Sequence, residues 1–190
     1  MPRCRRRTIV IMAVVVGAAS TLSGCASLLG RRRQAQDDRF ETFSEYVPEK
    51  LEVRTDPEPL EKRMPGVHFA SAHWVAQYRQ EKREMLPYPD RPLWVNAVVS
   101  LDPEATRAFT EALTGEVERL PGIYSDLRQY VPKDDVFAAV AKEKANEIID
   151  VEHMVQDDPG TTDTARFRMD QVAVCAGSNL LILIATEYHM

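Results

Sequence analysis

The chain has 190 residues, 44 % apolar and 28 % charged, with a net charge of −5. That is enough for one domain able to close a core with no disulfide or metal staple. Residues 1–24 carry four arginines and no acid, so the remainder is left with 20 basic and 29 acidic residues, a net −9 that repels phosphate backbones and argues against nucleic acid as a partner.

The first thirty residues have their own grammar. Arg3, Arg5, Arg6 and Arg7 make a positive start, an apolar stretch runs from Ile9 to Ala19, and Leu22-Ser23-Gly24-Cys25 follows. A positive n-region, a short apolar run and small residues before a cleavage point form a secretory signal. The segment resembles the bacterial lipoprotein signal, whose lipobox ends in a cysteine. The resemblance covers about the first 25 residues. It implies lipid on the Cys25 thiol, cleavage between Gly24 and Cys25, and a body held by acyl chains on the extracytoplasmic face of a cell membrane. An uncleaved membrane anchor is the alternative, because Thr8 to Gly30 runs without a charge. Its many glycines and serines and the basic Arg31-Arg32-Arg33 flank speak against that. Arg6-Arg7-Thr8-Ile9-Val10 also loosely resembles a twin-arginine export signal. The three arginines after Gly30 would be attracted to anionic headgroups.

Four regions are expected: a signal peptide at 1–24, a lipidated tether at 25–38, a helical and Pro-rich region at 39–92, and a compact core at 93–190. Phe40, Phe43, Tyr46 and Val47 have the spacing of a short amphipathic helix. Residues 48–66 hold Pro48, Pro57, Pro59 and Pro65 among many charges and read as loop. Ser71 to Leu86 reads as a helix with Trp74, Val75, Tyr78, Met85 and Leu86 on one side, ended by Pro87.

Residues 93–101 alternate as a half-buried strand. Asp102-Pro103 starts a helix whose face is Ala105, Phe109, Ala112 and Leu113, with Gly115 at its end. Pro132 and Asp134 open another, with Val136, Phe137, Val140, Ala141 and Lys144 as its face. Residues 147–156 alternate and are read as a strand, in view of the turn and strands that follow, with a continued helix as the alternative. Segments 166–176 and 180–188 are strands joined by Gly177-Ser178-Asn179, and Leu180 to Ile184 is apolar throughout, as in a strand covered on both faces. The expected fold is α+β, an antiparallel sheet of about four strands with helices on one face. Slow hydrogen exchange is expected in 93–190 and fast exchange before about residue 66.

No local motif announces chemistry: there is no GxSxG, Walker A or GxGxxG pattern, and no catalytic set, cofactor or metal is expected. In the mature chain Cys175 is the one remaining thiol, flanked by Val174 and Ala176 as a core residue would be. His68 and His73 are five apart, which divides them across a helix, and His153 and His189 could meet only through folding. Asp157, Asp158 and Asp163 share a loop without the EF-hand spacing. Trp74, Tyr78, Tyr88 and Trp94 gather around the Pro-rich stretch 87–92 and are the candidate binding groove, for an envelope protein, glycan or lipid. The expected function is therefore non-enzymatic binding or interaction at the envelope. Two alternatives stand beside it: an extracytoplasmic hydrolase with dispersed carboxylates, and an assembly partner that pairs through a sheet edge.

Overall fold

The computed structural model describes residues 37–82, 91–154 and 165–189. The signal segment, Cys25 and Arg31 to Arg33 lie outside these residues. Among the described residues no helix is long and apolar enough to cross a membrane.

In chain order the elements are α1 (Glu58–Arg63), β1 (Phe69–Tyr78), β2 (Leu93–Leu101), α2 (Pro103–Glu111), β3 (Leu113–Glu116), β4 (Ala138–Val140), α3 (Lys142–Ile148), β5 (Ala165–Cys175) and β6 (Leu180–His189). The class is α+β. The six strands form one antiparallel sheet in the order β1-β2-β6-β5-β4-β3, two more than the four expected. The strands with the strongest apolar runs, β2 and β6, are both interior and are paired from Leu93↔Glu187 to Ser100↔Leu180.

Both faces of this sheet are covered, by different material. On one face Leu60 and Met64 of the α1 segment, Ala105 and Phe109 of α2, and Ala145 and Ile149 of α3 pack on Trp74, Val95, Ala97, Leu181 and Leu183. On the other, the irregular chain around Phe40 and Leu120, a short 3-10 helix at Ser125–Tyr130 and Phe137 pack on Val75, Trp94, Val98 and Ile182. Asn96, buried on this second face, accepts the Tyr124 amide at 2.9 Å, and the Tyr124 hydroxyl accepts the Leu51 amide at 3.1 Å. These bonds stitch the irregular layer to the sheet and satisfy the Tyr124 and Leu51 amides.

Helix α2 shows how local chemistry sets an element. Asp102 caps it, its carboxylate accepting the Ala105 amide at 2.7 Å, with Pro103 in the first turn. It stops at Glu111, and Leu113 passes into exposed β3 instead of extending the helical face.

Four expected elements are corrected. Residues 71–78 are strand, not helix: β1 pairs with β2 from Phe69↔Leu101 to Tyr78↔Leu93. Its even positions face the helices and Val75 faces the irregular layer. A strand buried on both sides loses its polar alternation, and adjacent Trp74 and Val75 then imitate a helical face. Residues 132–141 are likewise not helical. Val136 is 68 % exposed, and Phe137 and Val140 enter opposite cores through a short strand. The helix comes later, at Lys142–Ile148. The stretch 147–154 is not a strand: α3 ends there, Asp150 takes a left-handed φ of 55°, and a 3-10 turn follows at Val151–His153. Residues 155 and 156 lie outside the described residues. Phe40 to Val47 is irregular rather than helical, with Phe40 bridging Leu120, although Phe40, Phe43 and Val47 do enter the second core.

The Pro-rich stretch is also more than a loop. Helix α1 fits between Pro57 at its cap and Pro65 beyond its end, and Pro59 falls in the first turn, where no amide is needed. Leu60 and Met64 are fully buried. No domain boundary falls at 92/93: Asp37–Met190 is one compact unit, and β1 belongs to the same sheet as β2. Slow exchange is therefore expected from Leu60 and Met64 onward and at Phe40, not only beyond residue 92.

Strand β5 contains a bulge at Asp170, where the register steps from Met169↔Ala185 to Gln171↔Ile184. The extra residue reverses which side chains face the helices: Phe167 and Met169 before it, Val172 and Val174 after it. The Asp170 carboxylate accepts the buried Thr186 hydroxyl at 2.6 Å and lies 3.3 Å from both Lys142 and Arg168. Before the bulge β5 continues past the end of β4, whose pairing covers only Ala173 and Val174. There the Asn146 side chain stands in for a neighbouring strand. Its Oδ1 accepts the Met169 amide at 2.9 Å and its Nδ2 donates to the Met169 carbonyl at 3.3 Å.

Candidate functional site

A pocket of about 510 Å³ opens between α1 and the outer end of β1. Its cationic wall is Arg54, Lys62 and Arg63. The floor is apolar, with Ala76, Leu93 and Val95, and Pro59, Trp74, Gln77, Tyr78 and Gln80 complete the lining.

Strand parity builds this arrangement. Trp74, Ala76 and Tyr78 follow one another on the helix-facing side of β1, opposite Ala97, Val95 and Leu93 of β2. The chain just before α1 is fastened to β1. Arg54 and Trp74 exchange backbone hydrogen bonds of 2.8 and 3.0 Å, and the Trp74 indole donates to the Asp56 carbonyl at 2.8 Å. The Arg54 guanidinium lies 4.8 Å from the Trp74 ring centroid, a cation–π contact. Lys62 lies 3.2 Å from Glu58 one turn earlier, a solvent-exposed pair of little energetic weight.

Arg63 is held differently. Its Nε donates to Glu187, whose side chain is only 4 % exposed, and its Nη1 donates to the Pro59 carbonyl at 2.8 Å. Glu187 continues the inward series Leu181, Leu183, Ala185 on β6, at the level where the sheet meets α1. A carboxylate at an inward strand position needs a charged partner, and the guanidinium supplies one in a fixed orientation.

Of the four aromatic candidates, the fold brings Trp74 and Tyr78 together at this pocket, with Tyr78 51 % exposed. Trp94 is on the opposite face, 1 % exposed and edge-on to Phe43 at 5.6 Å. Tyr88 lies outside the described residues. Trp94 does not share a groove with Trp74 and Tyr78, because it pairs with Gln77, whose side chain is at the opposite strand parity from theirs.

The other candidates separate in space. Cys175 is buried in the second core. A native chain should therefore resist thiol reagents until it is denatured; rapid native labelling, followed by absorbance of a released aromatic thiol, would contradict this placement. His68 is exposed, and His73 stacks on Tyr130 with ring centroids 3.6 Å apart, its burial pushing the imidazole pKa down. His153 is exposed and bonded to Asp150, whose carboxylate raises its pKa. Among the described residues no three His, Cys, Asp or Glu side chains gather as a metal site would require. Asp157, Asp158 and Asp163 and the His189 side chain lie outside the described residues.

A second pocket of about 520 Å³ lies between α3 and β5 and is also basic, with Lys142, Arg166 and Arg168. Its lining includes Glu143, and both Lys142 and Arg168 already face Asp170 at 3.3 Å. Lys62 and Arg63 of the α1–β1 pocket also have carboxylate partners, but among the described residues its lining holds three cations and no carboxylate, whereas that of the second pocket holds Glu143. It is the stronger candidate for ligand recognition.

Arg54, Lys62, Arg63 and Glu187 are missing from the reading of the sequence alone. The three cations lie in a stretch dense with proline and charge, where solvated loop is the ordinary expectation. Glu187 carried a usable signal: strand parity turns it to the same side as Leu181 and Leu183. The class defined by fold and site is an antiparallel α+β domain with a cation-lined pocket at one end of its sheet. Compared with known protein families, curated proteins and solved structures, the chain matches none.

Proposed function

We propose that this chain is an extracytoplasmic lipoprotein, exported by residues 1–24 and anchored in a membrane by lipid on Cys25. Its domain acts by binding a ligand in the α1–β1 pocket. The pocket is the observation that supports the binding reading: cations and one exposed aromatic ring converge on an apolar floor, in a volume typical of small-ligand sites. The anchor rests on the order Arg3 to Arg7, apolar run, Leu22-Ser23-Gly24-Cys25.

Two experiments test the two halves. Metabolic labelling with a fatty acid should mark the protein, and Cys25→Ala should abolish both the label and membrane retention, since stable anchoring needs more than one acyl chain. A Cys25→Ala chain that is still labelled and processed would refute the anchor. For the domain, incubation with peptidoglycan, lipids and envelope extract should give retention of a component without its consumption, and that retention should fall in Arg54→Glu/Lys62→Glu. Turnover that disappears on replacing one carboxylate or histidine would instead establish the hydrolase.

A further inference from the structure

We infer that the ligand of the α1–β1 pocket is anionic: a phosphate or carboxylate group carried on a small organic body. The inference rests on the reading that this pocket binds a ligand. The first ground is charge. The chain is acidic overall, with 29 carboxylate side chains against 24 Lys and Arg, yet among the described residues the lining of this pocket contains three of those cations and no carboxylate, Glu58 and Glu187 pairing with Lys62 and Arg63 from outside it. A concave site with one sign of charge and low-dielectric walls concentrates the opposite sign.

The second ground is preorganisation. Arg63 is fixed by Glu187 and by the Pro59 carbonyl, and Arg54 is laid on Trp74 at the point where its backbone pairs with β1. Cations held this way lose little conformational freedom when an anion arrives. Lys62 is pinned only by exposed Glu58, which an incoming anion can displace.

The third ground is size. About 510 Å³ exceeds what a bare oxyanion fills, and the apolar floor of Ala76, Leu93 and Val95 beside Tyr78 offers contact to a carbon skeleton. A phosphorylated or carboxylated sugar or polyol has both parts, and so does the headgroup of an anionic lipid.

Trp74 and Trp94 are the two tryptophans of the chain, one on the pocket and one in the opposite core. Their indole N–H resonances in a 15N-labelled chain of residues 26–190, assigned by Trp74→Phe and Trp94→Phe, report pocket and control together. This chain contains the whole compact unit Asp37–Met190. The soluble probes are glycerol 3-phosphate and glucuronate, against glycerol and glucose. The membrane probes are phosphatidylglycerol against phosphatidylcholine nanodiscs. Anionic probes should move the Trp74 resonance and leave Trp94 in place, with affinity falling at high salt and dropping roughly tenfold in Arg54→Gln and again in Lys62→Gln. A response to nanodiscs alone assigns the anion to a lipid headgroup, and a response to the soluble esters assigns it to a free metabolite or glycan. Equal responses to glucose or glycerol would overturn the anionic inference and leave the pocket reading intact. Silence of Trp74 toward every anionic probe at millimolar concentration would overturn the inference as well. Failure of the pocket reading itself shows separately, as envelope retention indifferent to Arg54→Glu/Lys62→Glu.

Discussion

Arg63→Ala is expected to destabilise the fold by about 3 kcal/mol, one of the largest losses available from a residue outside the aliphatic core. The reason lies in the carboxylate rather than in the arginine. Glu187 stands between Leu93 of β2 and Phe167 of β5 in the strand register, on the face covered by the helices, and is 4 % exposed. Desolvating a carboxylate there is tolerable because the guanidinium of Arg63, itself 14 % exposed, lies against it. Arg63→Lys should recover part of the loss, since an ammonium restores the charge without the planar fork. Arg63→Met/Glu187→Leu should be near neutral or more stable than the native chain, because an apolar pair avoids the desolvation cost altogether. Urea titration with an unchanged slope would measure all three. A loss below about 1 kcal/mol in Arg63→Ala would mean that water reaches Glu187 freely. The pair is thus better understood as a device that orients a cation at the pocket than as a source of stability.

Gly66→Ala should cost stability toward the upper end of about 1–3 kcal/mol for overpacking, and it should disturb the pocket as well. A Cβ on Gly66 would stand 2.2 Å from the Ile148 carbonyl oxygen and 3.1 Å from the Ile149 carbonyl carbon. Both are backbone atoms at the end of α3, with no side-chain rotamer to give way. The Gly66 amide also donates to the Ile149 carbonyl at 3.1 Å, so separating the two segments sacrifices a hydrogen bond worth about 1 kcal/mol. Gly66 follows directly on α1, and relief of the clash would have to pass through Met64 and Pro65 to Lys62 and Arg63. A lower thermal midpoint together with weaker ligand binding is the expected pair of results. An alanine variant of native stability would show that α1 and α3 can part at no cost.

The legible part of the fold is the part whose chemistry is local. Asp102-Pro103 announces α2 because capping and a first-turn proline act within four residues. Leu180 to Ile184 announces β6 because five apolar residues in a row suit a strand with no wet face. The sequence conceals β1, β4 and α1 for a shared reason: partners distant in the chain decide them. Ser71 to Tyr78 has modest strand propensity and is strand because β2 offers it eight register partners on one side. Ala138–Val140 is too short to show a period, and α1 is helical although two prolines lie within two residues of its start. In the site, Trp74 and Tyr78 are legible as aromatics near a Pro-rich turn, but the face each occupies depends on β1 being a strand. Trp94 was drawn in by nearness in sequence and is removed by parity. The cations became visible only once α1 placed Lys62 and Arg63 above the floor that β1 and β2 supply.

The Asn146 amide at the flank of β5 has a consequence for a molecule confined to a surface. Proteins tethered in a bilayer, as proposed for this chain, meet one another in two dimensions, in similar orientations and at high local density. Under those conditions an exposed strand flank invites copy-to-copy zippering, the first step of an aggregate. Asn146 already occupies both the amide and the carbonyl of Met169, the two backbone groups of that residue which such a neighbour would engage. Beside it Arg166 and Arg168 place like charges that two approaching copies would have to bring together. On the proposed anchor, one side chain on α3 would thereby help a crowded layer of these domains remain a population of separate molecules.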